Sequence, residues 1–343
     1  MSEITERESI RDVADLEDLM ATPDAGLIED FDRLEGDILV LGCSGKVGPT
    51  LCRMAKRAVP GKRVMGVARF SDPDVRARME SWGIECLPCD LLDRKAVASL
   101  PDVPNIVYMA GRKFGTIGDE PHTWAMNALV PAIVGDRFRQ SRIVGFSTLC
   151  VYPYADVTTA GCTEDTPPVT IGEYANSCVG RERMFQYMSL THGNSGRITR
   201  LNYAIDLRYG VLHDIARWVL TKQPIDLRTS QVNVIWQGDA ISQILRCLLH
   251  CETPSAPINI GAPEHADVRQ VAIRFGQIFH IEPVFVNEPA PTCWINDTSL
   301  ATRLFGRPQV DLDTMIRWNA DWLNRRMPVY QKPTHYEERE GAF

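Results

Sequence analysis

The sequence predicts an α/β fold, a doubly wound parallel sheet followed by a smaller C-terminal lobe. Three observations carry that reading. Short continuous apolar runs alternate with helical segments from Asp37 to Phe146, the rhythm of a parallel sheet covered on both faces. The first apolar run ends in a glycine-rich turn that opens the first helix. And 343 residues at 44% hydrophobic content give enough apolar material for a sizeable core and enough length for two domains of about 150 residues each.

Residues 1–35 carry two short amphipathic patterns, Ile10, Val13, Leu16, Leu19 and Met20, then Leu27, Ile28, Phe31 and Leu34. Ala21 to Gly26 breaks them, with Asp24 as the expected N-cap, so this segment reads as a helical N-terminal extension. Ile38-Leu39-Val40-Leu41 is then a strand buried on both faces, ending at Gly42. Leu51 to Val59 reads as a helix stopped by Pro60-Gly61, Arg63 to Ala68 as a second strand, Val75 to Trp82 as a helix, and Ile84 to Leu87 as a third strand. Asn105 to Met109 and Arg142 to Phe146 follow as strands, with a helix between them near 122–139. Beyond Ile205 the rhythm loosens. Asn233 to Trp236 and Pro257 to Ile260 are strand-like pieces of a less regular lobe, some of whose elements return to the sheet. The expected division is thus 1–35, 36–205 and 206–343, with a polar, mobile tail from Gln331.

Composition narrows the function classes. Net charge is −7, and no basic face is legible, which argues against a nucleic-acid partner. No run of 18 apolar residues exists, and the charged N-terminus MSEITERESIRD lacks the profile of an export signal, so no membrane span and a cytoplasmic location are expected. The ten cysteines therefore read as reduced core thiols. Cys86-Leu-Pro-Cys89 has no second pair at zinc spacing, and the seven histidines form no HxxxH pair, so no metal is expected. No GxSxG elbow is present.

The chemistry begins at Gly42-Cys43-Ser44-Gly45-Lys46-Val47-Gly48, between the first strand and the first helix, with Pro49 at a helix start. Glycines at this spacing permit a tight turn, close approach of backbone to a pyrophosphate, and close packing of helix on strand. The helix N-terminus adds aligned N–H groups for the phosphates. This is the signature of a Rossmann-type dinucleotide site. The end of the second strand discriminates between cofactors: a carboxylate there binds a ribose 2′-OH, a cation accommodates a 2′-phosphate. The chain reads Ala68-Arg69-Phe70-Ser71 with Lys46 in the glycine loop. Two cations and no acid favour NADP, with NAD the alternative; Arg69 stacked on adenine would suit either.

With these residues in hand, the sequence resembles the extended short-chain dehydrogenase/reductases, the NAD-dependent epimerase/dehydratase group. The markers come in that family's order: the loop at 42–48, Cys89-Asp90-Leu91, Met109-Ala110-Gly111 with Lys113, Asn127, Ser147-Thr148-Leu149-Cys150-Val151-Tyr152, and Tyr174. The resemblance implies that Asp90 and Leu91 border the adenine, and that the 109–111 loop and Lys113 border the cofactor's ribose and pyrophosphate. It implies that Thr148 holds the reacting oxygen and that Tyr174 is the acid/base. Asn127 has the plainer alternative of holding a helix, and Thr148 of capping a strand. Arg200-Leu-Asn202 falls where the family reads a longer Arg-x-x-Asn run, which makes Asn202 a substrate candidate. The family also implies a homodimer formed through the helix bearing Tyr174.

One departure limits the inference. The family pattern is Tyr-x-x-x-Lys, whereas this chain reads Tyr174-Ala-Asn-Ser-Cys178. A free tyrosine titrates near 10, too high for an efficient base at neutral pH. The family's lysine lowers that value, and a neutral thiol does not. Three alternatives stay open: Lys113 or Arg181 substitutes, the chemistry is slow, or redox turnover is lost. Cys178 itself could act as a nucleophile near a helix start. Asp206-Leu-Arg208 offers a polar pair, in the cleft or as a surface salt bridge. The expected function is an NAD(P)-dependent oxidoreductase, epimerase or dehydratase acting on a sugar, sugar acid or nucleotide sugar. The alternative is a dinucleotide-binding regulatory or scaffold protein.

Overall fold

The structure is a computed structural model that describes residues 7–113, 115 and 117–341. The first six residues of the expected N-terminal extension and the last two of the polar tail lie outside the described residues. Five strands of the alternating region, β1 (Ile38–Leu41), β2 (Val64–Ala68), β3 (Glu85–Pro88), β4 (Asn105–Tyr108) and β5 (Arg142–Thr148), join two later ones, Gly196–Leu201 and Ala256–Ile260. They form one seven-stranded sheet in the order β3, β2, β1, β4, β5, Gly196–Leu201, Ala256–Ile260. Every neighbouring pair is parallel. The expected doubly wound α/β class is what the chain adopts.

Strand order decides where a ligand sits. β1 lies between β2 and β4, with Ile38 opposite both Val64 and Asn105. The chain therefore reverses its winding direction at β1, and the crevice beyond the carboxyl ends of β1 and β4 is the switch point of the sheet. Side chains of β1 alternate between two cores. Ile38 and Val40 pack with Leu51, Val144 and Ile258 on one face. Leu39 and Leu41 pack with Ile106, Tyr108 and Ile133 on the other. A strand buried on both sides is why its sequence is apolar without interruption.

The N-terminal extension forms two helices, α1 (Val13–Met20) and α2 (Ala25–Arg33). Asp24 caps α2 by accepting from Leu27 N at 2.8 Å. Of the four apolar residues assigned to α2 and its end, Ile28 is exposed and the other three are buried. The extension is fastened by charge as well: Arg246 donates to Asp30 at 2.7 Å, and Arg53 to Asp18 at 2.9 Å. The smaller lobe has its own core, in which Ile10 and Leu16 of the extension meet Val211, Trp236, Phe275 and Trp318.

Two readings change. Gly196–Leu201 is not legible as a strand in the sequence, because Arg197 and Arg200 interrupt its apolar pattern; both are buried in ion pairs, with Glu252 and Glu182. The tail is not mobile as expected but packed: Thr334 and Tyr336 are buried, and Asp214 accepts from Thr334 N and Oγ1, both at 2.7 Å. No helix among the described residues is long and apolar enough to cross a membrane.

Candidate active site

The glycine loop joins β1 to helix α3 (Gly48–Ala58), which carries Pro49 at its start. Its three glycines meet three different demands. Gly42 has φ +89°, and a methyl group there would lie 2.5 Å from Ala110 N, so the loops after β1 and β4 touch at this point. A methyl at Gly48 would lie 2.0 Å from Cys43 O, which sets the close approach of helix to loop. Gly45 has open space where its side chain would be, and with Ser44 it forms the exposed tip. Backbone of this shape at a helix N-terminus fits a dinucleotide pyrophosphate.

The remaining cofactor candidates ring the same crevice. Asp90 is exposed beyond β3 and accepts from Leu92 N at 3.0 Å, while Leu91 is buried. Met109 N donates to Leu41 O at 2.9 Å, so the Met109-Ala110-Gly111 loop begins alongside the glycine loop. Asn127, in a single π-helical turn (Ala125–Leu129), locks the chain just beyond Gly111. Its Oδ1 accepts from Arg112 N at 2.8 Å and from Arg181 Nη2 at 2.6 Å. Its Nδ2 donates to Arg112 O and Ser177 Oγ, both at 2.9 Å. Asn127 does more than hold a helix: it ties the loop after β4 to the helix Gly172–His192.

Thr148 ends β5, and Tyr174 lies in the first turn of Gly172–His192. Both line one cleft, and the Thr148 hydroxyl is near enough to act on the Tyr174 phenol, so the expected oxygen-holding and acid/base residues stand together. Thr148 Oγ1 also accepts from Cys150 N at 3.2 Å, so the plainer capping role is present too. Burial pushes the Tyr174 phenol well above 10. The neighbouring Cys178 and Cys150 thiols add to this, while the Arg181 charge and the Thr148 hydroxyl pull it back. Cys178 lies one turn on, fully buried, its thiol raised to about 11 chiefly by burial. Burial that favours the neutral thiol makes it a poor nucleophile at neutral pH.

Both cations suggested as substitutes for the missing lysine line the cleft with Tyr174, together with Thr148, Cys150, Asn202 and Tyr203, around a volume of about 260 Å³. Lys113 has its ammonium lowered by burial, with Cys150 and Cys178 opposing that shift. Arg181 is buried and acts directly on the Tyr174 phenol. It donates to Phe146 O at 3.0 Å and to Asn127. Gly111 makes room for it, because a methyl there would lie 2.3 Å from Arg181 Nη2.

Asn202 reaches the cleft but is committed internally. Its Nδ2 donates to Asn296 Oδ1 at 2.8 Å, and its Oδ1 accepts from Tyr203 N at 2.8 Å. Sequence reasoning missed a supporting network beneath the site: Ser147 donates to Glu182 at 2.6 Å, Glu182 takes both forks of Arg200, and Arg200 donates to Tyr152 Oη at 2.7 Å. It also missed the aromatic pair Tyr154 and Trp294, whose ring centres lie 4.6 Å apart and which pack with Leu149, Cys150 and Tyr174. Glu182 stands eight residues after Tyr174, a helical spacing that was the available signal for the first of these.

Asp206 and Arg208 are neither exposed nor a lone pair. Arg208 donates to Asp206 Oδ2 at 2.8 Å and to Glu17 of α1 at 2.9 Å. Lys46 extends toward this group, its ammonium 3.9 Å from the centre of the Tyr209 ring. Burial brings Lys46 down to about 8, with the Asp206 carboxylate opposing.

The family model described as the NAD dependent epimerase/dehydratase family matches residues 38–210. No curated protein matches the sequence. Among solved structures, UDP-glucuronic acid 4-epimerase from Bacillus cereus, in complex with UDP-glucuronic acid and NAD, is similar at 18% identity and TM-score 0.67, over 84% of this chain and 99% of that one. UDP-glucose 4-epimerase from Thermus thermophilus, in complex with NAD, is similar at 17% identity and TM-score 0.68, over 85% and 100%. UDP-glucose 4-epimerase from Thermotoga maritima, with UDP-glucose, is similar at 16% identity and TM-score 0.69, over 84% and 99%. At these identities the likeness establishes the fold.

The expectation of NADP is corrected. The Bacillus and Thermus enzymes carry NAD, and the two cations offered for a 2′-phosphate do not converge here. Arg69 is exposed beyond β2, whereas Lys46 is turned onto Tyr209 and toward Asp206. The charge pair read from the sequence is a pair in composition only.

Proposed function

Because the chain belongs to the NAD dependent epimerase/dehydratase family, we propose that it is an NAD-dependent oxidoreductase or epimerase/dehydratase acting on a sugar, sugar acid or nucleotide sugar. The observation that carries this is the cleft that brings Thr148, Tyr174 and Arg181 together beside the switch-point crevice, with the Arg181 charge acting on the Tyr174 phenol.

NAD, when bound, supplies a nicotinamide that accepts or returns a hydride. The backbone of Gly42, Ser44, Gly45, Lys46, Val47 and Gly48 would hold its pyrophosphate. Asp90 and Leu91 would border its adenine, with Arg69 at the adenosine end. Met109, Ala110, Gly111 and Lys113 would border its riboses. Thr148 fixes the oxygen of the reacting carbon. Tyr174 exchanges the proton at that oxygen, and burial keeps its phenol protonated in the resting protein, so proton donation to a carbonyl is the easier direction. Arg181 takes the electrostatic part of the lysine that Cys178 displaces. Residues 36–205 would then carry the cofactor, 206–343 the substrate side, and 1–35 a clamp between them.

Exposed Trp124, Leu129, Tyr187 and Leu190 lie on the Tyr174 helix and the segment packed against it. This supports a homodimer through that face, and Leu190→Glu should shift a sedimentation equilibrium toward monomer. The ten free cysteines suit a reducing compartment, the cytoplasm.

Calorimetric titration with NAD, followed by a sugar panel read by nicotinamide absorbance and product isomers, tests the assignment. Tyr174→Phe should abolish whatever activity appears while leaving NAD affinity within about threefold. A second reading, a dinucleotide-binding regulator without turnover, is favoured by the strongly raised phenol next to a neutral Cys178. NAD binding with no turnover across the panel would establish it in place of the first.

A further inference from the structure

The cleft that holds Thr148 and Tyr174 is one-sided in charge. Arg112, Lys113 and Arg181 line it, and among the described residues no aspartate or glutamate does. None of the glycine-loop residues 42–48 lines it either, so these cations do not gather where the cofactor's pyrophosphate fits. They come from two elements, Arg112 and Lys113 from the loop after β4 and Arg181 from the helix Gly172–His192.

The acids around the cleft leave that sign unchanged. Asp119 forms an ion pair with Arg112. Glu182, next in sequence to Arg181, is taken by Arg200 and Ser147. Glu337 acts on Tyr203, but burial holds its own carboxyl toward the neutral form. Arg181 serves the Tyr174 phenol and is anchored at Phe146 O and Asn127. Lys113 has no part in that proton chemistry.

The groups that act on Lys113 bound the position of its ammonium. Burial lowers it, and Cys150 and Cys178 oppose that shift. The same two thiols act on the Tyr174 phenol, and burial keeps both of them neutral. Ammonium and phenol thus share neighbours around a volume of about 260 Å³, which one small ligand can span. A carboxylate suits such an ammonium better than a hydroxyl does. Burial strengthens the attraction between the charges, and a charge-assisted hydrogen bond is the shorter and stronger kind. An anion this close to the reacting oxygen belongs to the substrate's own carbon skeleton.

Resting on the function proposed above, we propose that the substrate is a sugar acid whose carboxylate is received by Lys113, while Thr148 and Tyr174 hold the oxygen of a nearby carbon. Lys113 then sets the preference for an acid over a neutral sugar.

The test is calorimetric titration of the full-length protein, with and without saturating NAD, against matched pairs of acid and neutral sugar. The pairs are glucuronate and glucose, galacturonate and galactose, and gluconate and glucitol, with glucose 6-phosphate as the phosphate arm. With NAD bound, at least one acid should bind about 10- to 100-fold more tightly than its neutral counterpart, the range for a hydrogen bond to a charged group. Lys113→Met should remove that preference and Lys113→Arg should keep most of it. NAD affinity and melting temperature are measured for each, and Lys113→Gln serves if the methionine variant unfolds. Equal binding of acid and neutral sugar in every pair would overturn the proposal. So would a folded, NAD-loaded Lys113→Met protein that still prefers the acid, tighter binding of the sugar phosphate than of any acid, or no acid bound at millimolar concentration by the NAD-loaded protein. Because binding is read without turnover, these outcomes stay separate from failure to bind NAD, which would instead defeat the functional reading.

Discussion

Replacing Arg181 with methionine removes the charge but keeps much of the volume, and its consequences are set by three contacts. Arg181 and Tyr174 stand seven residues apart on one helix, about 10.5 Å along its axis. Both side chains line one cleft. At an effective dielectric of about 20, a unit charge about 10 Å away is worth ~1.7 kcal/mol, or about 15-fold in rate. The substitution also removes the donors to Phe146 O and Asn127 Oδ1. Hydrogen bonds to charged groups contribute about 1.5–3 kcal/mol each, so a melting temperature lower by several degrees accompanies the kinetic loss. Asn127 keeps its bond from Arg112 N, so the loop after β4 stays in place and NAD affinity changes little. The assay is the pH profile of kcat for the substrate identified by the sugar panel, with NAD affinity and melting temperature measured alongside. Loss of about 10- to 100-fold at neutral pH is expected, with the basic limb moved to higher pH because the phenolate has lost its cation. Arg181→Lys should recover part of this. A methionine variant that is folded, binds NAD and retains the wild-type profile would refute the assignment of Arg181 as the substitute cation.

Cys178→Lys alone should not raise activity, because it buries a second cation beside Arg181, and a fall in melting temperature checks that. Combined with Arg181→Met, the same lysine should restore at least tenfold of the lost rate, measured as a double-mutant cycle. Lys46, brought down to about 8 by burial, is a cation below that pH and neutral above it. Between about pH 8 and 10.5 the unfolded chain still holds a proton that the native chain has released, so stability should rise with pH there, and Lys46→Met should flatten that dependence in urea denaturation. Asp239 is raised to about 7 by burial, against the N–H groups of Val310 and Gln309 that favour its carboxylate. Between about pH 4 and 7 the native chain thus holds a proton that the unfolded chain has released. Stability contributed by the protonated form is full below about pH 4 and is lost as pH rises through 7. Asp239→Asn should be less sensitive across that window and gain on the order of 2–4 kcal/mol over wild type at pH 8, read by urea denaturation.

What the sequence discloses and what it hides divide along physical lines. β1 and the glycine loop are legible because each residue there answers a local demand: apolar on both faces, then glycine where a methyl would strike Ala110 or Cys43. Family order implies that Thr148 and Tyr174 act together, and the fold sets both around one cleft. The strand Gly196–Leu201 is hidden because its arginines are neutralised by Glu252 and Glu182, partners that are distant in sequence. The tail reads as mobile because its polar residues carry no periodicity, yet Asp214 holds Thr334 and Tyr336 joins the core of the smaller lobe beside Trp218. The cofactor is misread for a related reason. Lys46 and Arg69 count in the sequence as charges available to a ligand, whereas the direction of Lys46 is set by Tyr209 and Asp206, some 160 residues further along the chain. Contacts of that range have no signature in local pattern.

On the function proposed above, the replacement of the family's lysine by Cys178 is a relocation of charge rather than its loss. A site shedding its chemistry would keep no reason to bury an arginine against the tyrosine, since a buried unpaired cation is costly. Arg181 is instead enclosed on several sides by groups suited to it. Phe146 O and Asn127 Oδ1 accept from its two terminal nitrogens, and Gly111 leaves room where any side chain would collide. The same Asn127 holds Arg112 and Ser177, so one π-helical turn positions the cofactor-side loop, the catalytic helix and the guanidinium together. A lysine added at 178 would crowd a charge already supplied from one turn further on. A small neutral thiol fits there without that repulsion, which is why Tyr174 can be followed by cysteine and still face a cation.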